Sequence, residues 1–131
     1  DMGHRLGRGA PKIFSVNWFR RDDEGGFLWP GFGENARVLE WIAGRVAGTA
    51  SGVDTAIGVM PADDALNLDG LDIDPAVMEE LFEIDAKAWL TELVDVEAFF
   101  GQFGRALPTG LVRQLNHVRW RLEHVQQAVA A

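Results

Sequence analysis

Seven consecutive residues restrict this 131-residue chain more than any other stretch: Phe27-Leu-Trp-Pro-Gly-Phe-Gly33. Pro30 has no N–H and fixes its own φ, so it stops a helix interior and a central strand alike. Gly31 and Gly33 weaken both elements further and let backbone approach a neighbouring ring closely. The stretch is therefore a loop, yet it carries Phe27, Trp29 and Phe32. Aromatics in a loop have either a core to fill or a flat ligand to hold. The residues alone leave both readings open.

The flanks are more regular. Pro11-Lys-Ile-Phe-Ser-Val-Asn-Trp-Phe19 alternates with period two and predicts a strand. Phe14, Val16 and Trp18 share its core face, and Ile13, Ser15, Asn17 and Phe19 the other. After the loop a helix is expected from Glu34 or Asn35, with Val38, Leu39, Trp41, Ile42 and Val46 as its apolar stripe. Glu34 in its first turn suits the helix dipole. Thr55–Met60 reads as a short buried strand ended by Pro61.

Asp74-Pro75 is an N-cap followed by proline at the first helical position. Asp85 caps a further helix, with Trp89, Leu90, Leu93, Val96, Phe100 and Phe103 along one side. Pro108 opens the last helix, whose stripe is Leu111, Leu115, Val118, Leu122, Val125 and Val129. The expected class is α+β, mixed and helix-rich. A small β-sheet from 11–20 and 55–60 is covered by three or four helices. Residues 1–10 are expected to form a flexible N-terminal segment and 11–131 a single domain.

Charge narrows the partners. Residues 1–21 hold five Lys/Arg against one Asp, while 54–97 hold thirteen acids and the single cation Lys87. With a net charge of −8, broad nucleic-acid binding is not expected, because phosphate neutralisation needs Lys and Arg. No apolar run approaches the 18 residues of a membrane-spanning helix, so no membrane partner is expected. Zero cysteines remove disulfides and thiolate chemistry, and with no basic-then-apolar leader they fit a cytoplasmic location.

Several chemistries lack their residues. The lysines are Lys12 and Lys87, neither preceded by glycine, so no Walker-type phosphate loop is present. The acidic run Asn67-Leu-Asp-Gly-Leu-Asp-Ile-Asp74 resembles a calcium loop in composition. In that register, however, Ala65 and Ala76 fall at the first and last ligand positions, and neither offers a side-chain oxygen. His117 and His124, two turns apart with Arg121 between them, read as a polar surface stripe. No metal site is expected.

One constellation remains: Phe19, Phe27, Phe32 and Asn35. One aromatic on a strand and two on a Gly/Pro-shaped loop can enclose a flat ring. Stacking a base on an aromatic gives roughly 1–3 kcal/mol and does not tell bases apart. Discrimination needs hydrogen bonds to the base edge. Backbone N–H groups at a helix start, with the Asn35 amide, suit guanine.

These residues also carry a family resemblance. Pro11–Arg20, the run Phe27-Leu-Trp-Pro-Gly-Phe-Gly-Glu-Asn-Ala-Arg-Val-Leu-Glu-Trp41, Ile57–Pro61 and Asp64–Leu71 closely resemble GTP-dependent phosphoenolpyruvate carboxykinase. The likeness weakens along the C-terminal helices but covers nearly the whole chain. It implies the C-terminal part of the nucleotide-binding domain of a larger α/β enzyme. That enzyme makes phosphoenolpyruvate, carbon dioxide and GDP from oxaloacetate and GTP, in gluconeogenesis.

The resemblance further implies a guanine site built from Phe19, Phe27 and Phe32, with Gly33, Glu34 and Asn35 at the base edge. It puts the phosphate-binding loop, the ligands of the manganese or magnesium ion and the mobile lid elsewhere in the parent protein. The chain alone is then expected to be inactive. Its expected partners are guanine nucleotide and the remainder of the parent enzyme, with self-association through exposed strand edges. The rival expectation is a non-catalytic helical interaction module, in which the aromatic loop is only core.

Overall fold

The computed structural model describes residues 5–129, with side chains placed for all of them except Arg8 and residues 125–129. Its elements are helix α1 (Asn35–Ala47), strands β1 (Gly52–Asp54) and β2 (Val59–Pro61), and helices α2 (Pro75–Phe82), α3 (Ala86–Gly101) and α4 (Thr109–Val129). Single 3-10 turns lie at Gly7–Gly9, Phe32–Glu34 and Gly104–Ala106. This is the helix-rich α+β class with one small sheet. Of the segment 1–10, residues 1–4 lie outside the described residues. Gly7–Gly9 make a turn closed by the Ala10 N–H on the Gly7 carbonyl at 3.1 Å.

The contacts divide the chain into two compact units. Of the described residues, one unit holds those up to Asp54 together with Val59–Glu83, and the other Thr55–Gly58 with those from Ile84 onward.

In the first unit, α1 is fixed by Trp41, which is buried and donates its indole N–H to the Ser51 carbonyl at 2.8 Å. Phe14 meets the Trp41 ring edge-on at 6.0 Å. The sheet is a two-stranded antiparallel hairpin with Gly52 opposite Pro61, Val53 opposite Met60 and Asp54 opposite Val59. Helix α2 starts as its sequence demands: Asp74 is extended, and its carboxylate accepts the Ala76 N–H at 2.9 Å.

Two expected strands are corrected. Residues 11–20 are not a strand, because a strand needs a neighbour to take its N–H and C=O groups. Among the described residues Pro11–Asn17 have no ladder partner, and the chain turns at Trp18-Phe19. The alternation survives only in part: Phe14 and Trp18 are half-buried, but Val16 is exposed. Nor is Thr55–Met60 one strand. The Thr55 N–H and hydroxyl both reach the Gly58 carbonyl, at 2.9 and 2.6 Å, and Gly58 takes φ 142°, which other residues avoid. The apolar run bends there, and only Val59 and Met60 remain in a strand.

In the second unit, α3 and α4 pack along Leu93, Leu115 and Leu122, joined by Ala56, with Leu90, Val96, Phe100 and Val118 at the margin. Burying leucine side chains of this kind contributes roughly 1.5–3 kcal/mol each. Arg121 Nε donates to the Ala56 carbonyl at 2.9 Å, and Arg119 pairs with Glu97 at 2.7 Å. Asp85 caps α3 by accepting the Lys87 and Ala88 N–H groups at 2.9 and 3.0 Å. The last stripe is shorter than its spacing suggested. Leu111 is exposed, and the Val125 and Val129 side chains lie outside the described ones.

Candidate functional site

The aromatic loop begins with a turn held by one aspartate. Asp22 accepts the N–H groups of Glu24 and Gly26 on its carboxylate at 3.0 and 2.7 Å. Its own N–H bonds the Gly26 carbonyl at 3.0 Å. The closure sets Arg21 opposite Phe27 in a single antiparallel bridge. Phe19 and Phe27 consequently meet edge to face, ring centroids 6.2 Å apart. The Arg21 guanidinium lies 4.1 Å from the Phe27 centroid, within cation–π range. Arg20 turns away and donates to the Leu81 and Glu83 carbonyls at 3.2 and 3.1 Å, at the C-terminus of α2. Cations suit that end of a helix.

The next two residues anchor the loop. Leu28 and Trp29 are buried, and the Leu28 N–H bonds the Arg20 carbonyl at 3.0 Å. Trp29 lies tilted against Trp18 at 6.3 Å and donates its indole N–H to Asn35 Oδ1 at 2.9 Å. Gly31 then adopts φ 114°, ψ −171°, which a side chain would strain. That reversal throws the Phe32 ring outward, where it is 92% exposed.

The 3-10 turn Phe32–Glu34 leads into α1. The Glu34 N–H bonds the Gly31 carbonyl at 3.1 Å, and the Asn35 N–H bonds the Phe32 carbonyl. Those two N–H groups are thus committed to the turn. The Glu34 carboxylate is committed as well, to Arg37 Nε at 2.6 Å. Arg37 also donates to the carbonyls of Asn67 at 2.7 Å and Asp69 at 3.1 Å. A guanidinium thus takes the carbonyl oxygens of the acidic loop that suggested calcium.

The geometry brings Phe19 and Phe27 together and sets Phe32, Gly33, Glu34 and Asn35 on one turn. Among the described residues Phe32 forms no ring pair with the other two. Phe19 is 72% exposed and Phe27 53%, so three phenylalanines between residues 19 and 32 face water. Core filling does not account for them. An open depression of about 860 Å3 lies elsewhere, between the loop Pro61–Asp69 and α2. Asp63, Asp64, Asp69, Glu79 and Glu83 line it, a like-charge rim unsuited to phosphates.

Comparison with known proteins decides the family. A family model described as the phosphoenolpyruvate carboxykinase C-terminal P-loop domain matches residues 1–121. The chain belongs to the GTP-dependent phosphoenolpyruvate carboxykinase family.

Its relatives carry that name. Phosphoenolpyruvate carboxykinase (GTP) of Paenarthrobacter aurescens is 49% identical over 112 residues, covering 86% of this chain and 18% of the relative. The cytosolic phosphoenolpyruvate carboxykinase (GTP) of Gallus gallus is 47% identical over 127 residues, covering 95% of this chain and 20% of the relative. The Treponema pallidum phosphoenolpyruvate carboxykinase (GTP) is 49% identical over 113 residues, 86% of this chain and 18% of the relative. The chain thus spans about a fifth of the length of the carboxykinases it matches.

Three site contacts were not foreseen from the sequence. Arg37 follows Glu34 by three residues on a helix, the spacing at which opposite charges meet, so its pairing had a readable signal. Arg21 over Phe27 and Trp29 on Asn35 depend on how an irregular loop closes, and periodicity carries no signal for either.

Proposed function

We propose that this chain is the guanine-recognising C-terminal portion of a cytoplasmic GTP-dependent phosphoenolpyruvate carboxykinase. The parent protein converts oxaloacetate and GTP to phosphoenolpyruvate, carbon dioxide and GDP. The observation that carries the reading is the set of exposed rings, Phe19, Phe27 and Phe32, on a backbone fixed by Asp22, Trp29 and Gly31. The GTP in the relatives' names supplies the base.

The rings take the faces of the guanine and exclude water from it. Stacking supplies affinity but not choice. Choice comes from the edge, where guanine has a carbonyl oxygen and adenine an amino group. Asn35 is the side chain on this turn able to donate to that oxygen. Glu34 contributes by holding Arg37, which ties the start of α1 to the loop at Asn67–Asp69. Gly33 leaves space for the ring: a Cβ built there meets nothing within 4 Å.

Among the described residues no three His, Cys, Asp or Glu side chains converge as ligands for a metal ion. In this reading the divalent ion and the phosphoryl-transfer groups belong to the rest of the parent protein. This portion binds the base and does not turn over substrate alone. Without phosphate contacts its affinity is about millimolar, on the order of 4 kcal/mol.

The test is Phe32→Ala. Its ring is almost wholly in water, so the substitution should change stability by no more than about 0.5 kcal/mol. GDP affinity should fall by roughly 1–3 kcal/mol, the worth of one stacked ring. Calorimetric melting and a GDP titration read the two. A loss of several kcal/mol of stability with GDP binding intact would return Phe32 to the core and refute the reading.

A further inference from the structure

We propose that Trp29 is a positioning residue for guanine selectivity: its indole fixes which end of the Asn35 carboxamide faces a bound base. The proposal rests on the guanine reading above and explains how that reading becomes selective. A carboxamide has an acceptor end and a donor end, and a free asparagine can turn either one to a ligand. Such a residue would take guanine through its NH2 and adenine through its oxygen. Selectivity therefore needs something that stops the turn.

An indole N–H only donates. The 2.9 Å contact from Trp29 Nε1 consequently requires the Asn35 oxygen on that side. The reverse arrangement would set two donors against each other. Trp29 is 6% exposed and lies against Trp18, so its ring has no free path to follow a rotating amide. Breaking the bond would leave a buried N–H unpaired. The Asn35 backbone is equally fixed, at φ −60°, ψ −27°, with its N–H on the Phe32 carbonyl. The oxygen is held toward Trp29, and the two amide N–H donors are left for a ligand. A purine with a carbonyl at that edge is accepted. One with an amino group meets a donor and is refused.

The experiment uses the 131-residue chain and ligand-observed NMR titrations with GDP, IDP and ADP. Trp29→Phe keeps a ring and removes the N–H. The GDP-to-ADP affinity ratio should drop roughly tenfold, the worth of one edge contact. The change should come from tighter ADP binding, because the freed amide can turn its oxygen outward, while GDP and IDP, which share the carbonyl, should change little and together. Asn35→Asp is the second variant, and it covers the case in which Trp29→Phe does not fold. The carboxylate still accepts from Trp29 but presents an acceptor outward, so the ratio should fall toward or past unity.

A folded Trp29→Phe chain with the wild-type ratio, or an Asn35→Asp chain that keeps its guanine preference, overturns the proposal. So does a Trp29→Phe chain in which GDP weakens and IDP does not. A wild-type chain without preference for GDP over ADP overturns the guanine reading itself, and the proposal with it.

Discussion

Gly31 shows how one residue shapes the site. At φ 114° it turns the chain between buried Trp29 and exposed Phe32. An ideal Cβ there meets no atom within 4 Å, so space is not the constraint; the backbone conformation is. Gly31→Ala should therefore destabilise the chain by about 1–3 kcal/mol through strain alone. Chemical denaturation followed by tryptophan fluorescence measures it. An unchanged midpoint would show that the loop relaxes and does not hold Phe32 where it stands. Phe19, Phe27, Phe32 and Asn35 stand out in the sequence because they cluster around a Gly/Pro loop; the structure pairs the Phe19 and Phe27 rings and, among the described residues, leaves Phe32 apart from both. The Trp29–Asn35 contact was not legible there, because the two residues meet only after an irregular loop has closed.

Among the elements, helix starts were the easiest to read. Asp74 and Asp85 each satisfy N–H groups within three residues, so the signal is local and the structure keeps it. Strands were the hardest. Period-two alternation at 11–20 reports which side chains share a face, but says nothing about a pairing neighbour. At 55–60 the bend is set by Gly58 and the Thr55 hydroxyl, inside what reads as one apolar run. In the helical unit, Leu122 is fully buried where α3 meets α4, with Leu93 and Leu115 beside it. Leu122→Ala should cost about 2–5 kcal/mol, the cavity term included. A urea midpoint shift equivalent to less than about 1 kcal/mol would mean that the two helices repack without it.

For the whole molecule, the charge distribution limits what the chain does by itself. A net charge of −8, with thirteen acids against one lysine across 54–97, gives nucleotide phosphates little attraction. The basic residues nearest the rings are already engaged: Arg20 by the C-terminus of α2 and Arg21 by Phe27. The family relatives are about five times longer than this chain. Under the proposed function, what this portion supplies is recognition of guanine without help from the rest of the parent protein. Titrating the chain with GDP and, separately, ADP tests it most directly, with Trp18 and Trp29 as fluorescent reporters beside the rings. Saturable quenching by GDP in the millimolar range is expected, with a much weaker response to ADP. Equal responses to both nucleotides would contradict it.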